Sequence, residues 1–194
     1  AWESQPRPSL DEAWTGYENL PDQFSQVLQA VGGQAHRVPD VAAINARLAE
    51  LPAYQKAAHR CSRVQGVGES NVDLTTIEDP HQLEQIEFAI LPGEFAVAEN
   101  AAVWVTGRDV GHRAVYFVVQ HLALVVGLDQ LVANMHQAYA RLSFDEPGFG
   151  CFISGPSKTA DIEQSLVIGA HGPRSLAVFL LDSGGSASDV RQNA

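Results

Sequence analysis

The chain has 194 residues, of which 45% are hydrophobic and 18% charged, with a formal net charge of −11 and a pI of about 4.9. This composition is typical of one globular domain with a substantial core. The acidic balance argues against a nucleic-acid partner, because nucleic-acid surfaces need clustered Lys and Arg. No apolar run reaches the roughly 18 residues that span a membrane, so we expect no membrane span, and we see no signal peptide.

The cysteine and histidine patterns offer no metal site. Cys61 and Cys151 are ninety positions apart and no CxxC occurs, so the chain carries no iron–sulfur or zinc motif and its cofactor is unknown. Cysteine usage favours a reducing, cytoplasmic compartment. Four histidines lack metal-ligand spacing, and we expect no metal at them: His59, His81, His112 and His136.

The first part of the chain predicts an arm followed by helix, strand and helix. Residues 1–20 have no period and are predicted to be an N-terminal arm. A helical apolar face then runs to Gly32-Gly33, which ends it: Phe24, Val27, Leu28 and Val31. Residues 35–38 predict a short strand, and Asp40 begins a helix over residues 40–50.

The later elements continue this alternation. Strands are predicted around Val103, Leu124, Ile153 and Val178, with a helix over residues 129–141 capped by Asp129. Residues 183–194, rich in Ser and Gly, predict a flexible tail. The pattern indicates one α/β domain over residues 21–182, with a mainly parallel sheet covered by helices on both faces.

The segment Phe152–Leu181 carries most of the polar chemistry. It predicts a strand, a Gly155-Pro156 turn, a helix over residues 159–169, a second Gly-Pro turn and a final strand, which is a βαβ unit. Ser157 or Thr159 is a candidate helix cap, and the free amides there would suit a carboxylate or a phosphate. Asp161 partly opposes an anion because it already places negative charge at this end.

The order of residues in this segment resembles the signature of the LUD-domain family, and within it the lactate-utilisation protein C branch. The residues that carry the resemblance are Ser154-Gly155-Pro156-Ser157-Lys158-Thr159-Ala160-Asp161-Ile162-Glu163, then Gly169-Ala170-His171-Gly172-Pro173. A weaker likeness covers 24–38 and 95–99. The resemblance implies a fold of the superfamily that holds CoA-transferases and ribose-phosphate isomerase. It also implies a role in oxidising L-lactate to pyruvate beside iron–sulfur partner subunits.

The chain departs from the family pattern at one turn. Family members usually follow the glutamate at position 99 with Thr-Gly-Ser/Thr, whereas this chain has Asn100-Ala101-Ala102. A hydroxyl and a glycine are therefore missing from a turn that should be tight and polar. The segment from Arg113 to Val126 resembles another family stretch, with His121 in place but no preceding proline.

The candidate site follows from the rule that parallel sheets bind ligands outside the carboxyl ends of their strands. We predict His171 and Glu99 as catalytic candidates, His171 because its pKa suits proton transfer or holding a carboxylate. The predicted ligand-binding residues are Ser154, Gly155, Ser157, Lys158, Thr159, Asp161 and Gly172. For each, a structural role as helix cap, turn lock or solvated side chain stays open.

Three functions of different classes fit the sequence. In the first, which the resemblance implies, the chain would be a subunit of a lactate-oxidising assembly that binds a small carboxylate or a cofactor, while iron–sulfur partner proteins carry the electrons. Alternatively, it is a self-sufficient acyl-CoA transferase-like or sugar-phosphate isomerase-like enzyme, with Glu99 as a nucleophile in the first case. The third is a non-catalytic scaffold. No GxGxxG loop occurs, so a dinucleotide fold of that type is not indicated.

Overall fold

The computed structural model describes residues 16–108, 110–142, 148–160, 166–168 and 172–182. The predicted tail and most of the predicted arm lie outside these residues. The helices in the described ranges are α1 (Leu20–Ala30), α2 (Val41–Glu50), α3 (Pro52–Lys56), α4 (Val115–Val118) and α5 (Met135–Arg141). Short 3-10 turns join some of the elements. None of the described helices is long and apolar enough to cross a membrane.

The main sheet has five parallel strands. Its members in chain order are β1 (Gln34–Val38), β2 (Arg60–Ser62), β3 (Phe88–Pro92), β6 (His121–Gly127) and β11 (Ser175–Leu181). Their spatial order is β1-β11-β6-β3-β2, and each neighbouring pair is parallel. The predicted mainly parallel α/β fold is therefore confirmed.

Side chains that alternate along the central strands build a core on each face of this sheet. On one face, Leu124 and Val178 pack with Phe24 and Leu28 of α1. On the other face, α2 and α3 cover Val125 and Phe179 of the same two strands. The central strands are consequently apolar on both faces, as expected for a parallel sheet between two layers.

A second, four-stranded sheet covers the α1 side of the main sheet. Its strands are β4 (Phe95–Val97), β5 (Ala102–Thr106), β7 (Leu131–Val132) and β8 (Gly150–Ile153), in the spatial order β7-β4-β5-β8. The β4–β5 and β5–β8 pairs are antiparallel. The prediction that Val103 and Ile153 share the main sheet is therefore wrong. Short apolar strands look alike in sequence, and only pairing assigns them to a sheet.

The predicted helix over residues 159–169 is also wrong. Here the chain forms β9 (Lys158–Ala160) and β10 (Leu166–Ile168), which pair antiparallel, with Thr159 opposite Val167. The helical spacing rested on only three positions. Thr159, Val167 and Ile168 are β-branched, and such residues favour strands over helices. The βαβ prediction is thereby replaced by a hairpin between β8 and β11.

The predicted helix over residues 129–141 begins later than expected. Leu131 and Val132 instead form β7 and pair with β4, and Asn134 caps α5 by accepting a hydrogen bond from the Gln137 amide. The apolar spacing that suggested a longer helix therefore includes strand residues. By contrast, the predicted helix over residues 40–50 is confirmed, with the side chain of Asp40 accepting from the Ala43 amide.

Candidate functional site

The residues Ser154 to Ser157, here called the SGPS turn, follow β8 and lie at the amino-terminal edge of the main sheet. The Ser157 amide donates to the Pro173 carbonyl at 2.9 Å, two residues before β11 begins. The Arg174 amide in turn donates to the Gln120 carbonyl at 2.7 Å, immediately before β6. The SGPS turn is thus joined to the starts of two neighbouring strands.

This position differs from the predicted one, since the cleft was expected at the carboxyl ends of the strands. The SGPS turn does follow the carboxyl end of β8, but β8 pairs antiparallel with β5 in the smaller sheet. The carboxyl end of β8 thus lies at the edge where β6 and β11 begin. The rule for parallel sheets therefore does not apply to this turn.

Gly155 gives the SGPS turn its shape. Its φ of +75° lies in the left-handed region, where a side chain is strained. A Cβ on Gly155 would also lie 2.8 Å from the carbonyl oxygen of Val31, at the end of α1. Pro156 lies against Gly32 in the next turn. The SGPS turn is therefore packed directly on the connection between α1 and β1.

Gly172 brings a third segment to the same place. A Cβ on Gly172 would lie 2.9 Å from the Phe117 carbonyl oxygen, 3.0 Å from the Ser157 Cβ and 3.1 Å from the Ser157 Oγ. The chain beside His171 therefore touches both the SGPS turn and α4. His171 and Asp161 themselves lie outside the described residues, and of Thr159 only the backbone position in β9 is described. Lys158 is exposed beside them.

Glu99 lies at the adjoining corner of the smaller sheet. The Ser154 hydroxyl donates to the Asn100 carbonyl at 2.7 Å, which places the residue after Glu99 against the SGPS turn. The Glu99 side chain is exposed, and its Oε2 accepts the Met135 amide at 2.9 Å, in the first turn of α5. Its observed contact is that of a helix-capping carboxylate.

The turn after Glu99 keeps the backbone that the family glycine would favour. Ala101, which replaces that glycine, has a φ of +53° and is fully buried. The Asn100 Oδ1 accepts the Ala102 amide at 3.1 Å, so an amide side chain makes the local bond that a threonine hydroxyl would make. The tight turn therefore persists although all three of its residues differ.

His121 occupies the same edge of the main sheet on its opposite face. Its Nδ1 lies 2.8 Å from the Ser175 Oγ, and its ring stacks on Phe88, which belongs to the core under α2. Burial lowers the pKa of His121, Arg174 lowers it further, and Glu87 opposes both. The imidazole is therefore predominantly neutral at pH 7 and bonds the hydroxyl of the neighbouring strand.

The cysteines and acidic residues form no metal centre in the described part of the chain, where no three His, Cys, Asp or Glu side chains lie together. Cys61 is buried in β2, and burial raises the pKa of its thiol to about 12. Cys151 belongs to β8 in the other sheet.

Sequence reasoning did not single out three residues at this edge, namely Arg174, Phe117 and Phe149. Arg174 directly follows the His-Gly-Pro motif and is exposed. Phe117 lies inside the apolar run of residues 114–119, and Phe149 is flanked by Gly148 and Gly150. An aromatic residue between glycines is the signal that could have singled out Phe149, whose half-buried ring packs against the core.

These features define an α/β domain with a tightly packed backbone corner where three segments meet, and similarity to known proteins assigns its family. The LUD domain family matches residues 77–181, and the chain belongs to that family. A crystal structure of a DUF162 family protein from Deinococcus radiodurans has the same fold, with a TM-score of 0.57 and 17% identity over 84% of this chain and 96% of that one.

Within the family the chain belongs to the lactate-utilisation protein C branch. It is 30% identical to lactate utilization protein C from Geobacillus thermodenitrificans over 86% of this chain and 70% of that protein. It is 34% identical to the protein of the same name from Shouchella clausii over 54% of this chain and 49% of that protein. The chain therefore matches about half of the length of the Shouchella clausii protein and 70% of the length of the Geobacillus thermodenitrificans protein.

The role of Glu99 is open to a direct test by substitution. We expect Glu99→Ala to lower the free energy of unfolding by about 1 kcal/mol, because the Met135 amide loses its acceptor. Glu99→Gln should restore most of that stability, since its carbonyl oxygen also accepts. Urea unfolding of both variants measures this. If Glu99→Ala unfolds at the same urea concentration as the unchanged chain, the capping role is wrong.

Proposed function

We propose that this chain is a subunit of an assembly that oxidises L-lactate to pyruvate, and that it binds the small carboxylate, or a cofactor, beside the SGPS turn. The observation that carries the proposal is the 2.9 Å bond from the Ser157 amide to the Pro173 carbonyl. It joins the two motifs of the LUD signature at one edge of the sheet. The relatives are named lactate utilization protein C, which supports lactate as the substrate of the proposed reaction.

The charges at this edge suit a carboxylate. Lys158 and Arg174 are both exposed there, although the chain as a whole carries a net charge of −11. Arg174 offers a planar set of donors that fits a carboxylate in two-point contact. The Ser157 side chain, half-buried between these segments, adds a hydroxyl donor.

The chemistry needs a redox partner. Oxidation of lactate releases two electrons and two protons, and the two cysteines of this chain, in different sheets, do not supply the ligands of an iron–sulfur cluster. The C2 hydrogen would leave together with the two electrons to a redox carrier that iron–sulfur partner proteins supply, and His171 is the proposed acceptor of the hydroxyl proton. Ser154, Gly155, Thr159, Asp161 and Gly172 shape or border the proposed ligand position.

The acyl-transferase alternative depends on Glu99 as a nucleophile. Its carboxylate is exposed to water and accepts the Met135 amide. A nucleophilic carboxylate needs to approach the acyl group directly, and the capping contact holds this one against α5 instead. The geometry therefore favours the subunit function over the transferase function.

The test is reconstitution. We expect the purified chain alone to reduce no dye with L-lactate, and the chain with its iron–sulfur partner proteins to do so. In that complex His171→Ala should lower kcat by roughly 10²-fold or more if the histidine moves a proton. His171→Gln should recover part of the loss if it only holds the turn. The control, His59→Ala, changes an exposed histidine that precedes β2 and should leave the rate unchanged.

Two results would contradict the proposal. Lactate oxidation by the purified chain alone would place the whole reaction on this domain. Full activity of the His171→Ala complex, with its unfolding midpoint unchanged, would remove His171 from the site.

A further inference from the structure

We infer that the ligand position beside the SGPS turn accepts a planar heteroaromatic ring that carries phosphate, stacked on Phe117. This inference rests on the proposed function only for the location of the site. It adds the chemical class of a second ligand, namely a nucleotide.

Phe117 is the first observation. Among the described residues, the large hydrophobic side chains left exposed are Phe117, at 39%, and Tyr139, at 62%. A single exposed aromatic ring is ordinary in itself. Phe117 differs because it belongs to α4, whose backbone packs on Gly172: a Cβ on Gly172 would lie 2.9 Å from the Phe117 carbonyl oxygen.

A second ring and a guanidinium group stand beside it. Phe149 lies 5.9 Å from the Phe117 ring at an interplanar angle of 88°, so it forms a wall perpendicular to the Phe117 face. The Arg113 guanidinium lies 6.0 Å from the centre of the Phe149 ring. The exposed Phe117 ring, the perpendicular Phe149 ring and the Arg113 guanidinium therefore lie in a row of neighbouring contacts.

This set of groups matches one kind of ligand. Bases stack on aromatic side chains with little dependence on their sequence identity, and cations beside the ring add to the attraction. Arg113, Lys158 and Arg174 are exposed around the same edge and would attract phosphate groups. A lone aliphatic acid such as lactate would use the cations but leave the Phe117 face unoccupied.

Such stacking does not require a glycine-rich dinucleotide loop. Gly172 already brings its backbone close to that of Phe117 and to the Ser157 side chain, because there is no room for a Cβ between them. The sequence lacks the GxGxxG motif, so a dinucleotide site of that type is not indicated. A base that stacks on an aromatic ring does not need this motif.

The experiment measures binding of ADP and of FMN to the chain by calorimetry, with ribose 5-phosphate and adenosine as comparison ligands. We expect ADP or FMN to bind, and ribose 5-phosphate and adenosine each to bind at least tenfold more weakly than ADP if ADP is the ligand. Phe117→Leu should weaken the bound nucleotide by roughly 5- to 150-fold, the range of one lost base stack. Arg113→Gln should weaken it less and reduce its dependence on salt.

Tyr139→Leu is the control, because Tyr139 is the other large hydrophobic side chain left exposed in the described residues, at 62%, and it lies on α5, where its ring contacts Phe152. It should leave binding unchanged. Nucleotide affinity that is the same for Phe117→Leu as for the unchanged chain, or no binding of either nucleotide, would overturn the inference. Ribose 5-phosphate binding as tightly as ADP would do so too, and would show a phosphate site alone.

The lactate assay separates this inference from the proposed function. Loss of activity in the His171→Ala complex without any nucleotide binding would leave the proposed function in place and remove the inference. If the chain binds a nucleotide through Phe117 but adds nothing to lactate oxidation, the inference stands and the proposed function is contradicted.

Discussion

Gly155→Ala is expected to destabilise the domain by about 2–4 kcal/mol. The left-handed backbone alone costs a residue with a Cβ roughly 1–2 kcal/mol, and forcing the new methyl against packed backbone adds about 1–3 kcal/mol. At this position the methyl would lie 2.8 Å from the Val31 carbonyl oxygen, which belongs to backbone and has little freedom to move. Urea unfolding with an unchanged slope measures the loss.

Gly66→Ala is the matched control for this change. Gly66 has a similar φ of +71°, but a Cβ there would meet only the Val41 side chain at 3.6 Å. It should therefore show the backbone cost of roughly 1–2 kcal/mol without the steric part. Equal destabilisation by the two substitutions would mean that the contact with Val31 does not constrain the SGPS turn. In the reconstituted complex Gly155→Ala should also lower activity, because it moves Ser157.

Ala101→Val is expected to cost about 2–4 kcal/mol for a related reason. Ala101 already bears the strain of a left-handed residue with a Cβ, and β-branching at a φ of +53° adds to it. Because Ala101 is fully buried, two extra methyl groups also add a cost of overpacking of about 1–3 kcal/mol. The variant should also loosen the Ser154–Asn100 bond that joins the two turns.

Ala101→Gly provides the opposite comparison. It removes the left-handed strain of roughly 1–2 kcal/mol but also removes a buried methyl worth about 0.8 kcal/mol and adds freedom to the unfolded chain. We therefore expect a change within about 1 kcal/mol. Guanidinium unfolding of both variants measures these changes in the free energy of unfolding. If valine is tolerated as well as glycine, the left-handed turn is not retained in solution.

Local elements were well predicted wherever a long apolar period met a capping residue. The helix over residues 40–50 follows from Asp40 and its apolar face, and the first helix ends before Gly32-Gly33 as the spacing indicated. These are interactions between residues close in the chain, so their signals are written in a short window.

The errors share one physical cause. A two- or three-residue strand such as Leu131–Val132 is stable only because a distant partner supplies its hydrogen bonds. In the same way, Val103 and Ile153 pair with each other and not with Leu124, and residues 158–160 and 166–168 form a hairpin where a helix was expected. Pairing between distant segments leaves no periodic signature in either segment alone.

The sequence by itself determined the α/β class, the family and the motif residues that mark the candidate site, because these depend on local periodicity and on a contiguous string of residue types. The tertiary structure alone decided that the smaller sheet is a separate, mixed sheet, with two antiparallel pairs and one parallel pair, and that the SGPS turn lies at the starts of the main strands. It also decided that Phe117 and Phe149 meet beside Gly172. Each of those outcomes depends on contacts between residues that are tens of positions apart, whose energies act only after the chain has closed the loops between them.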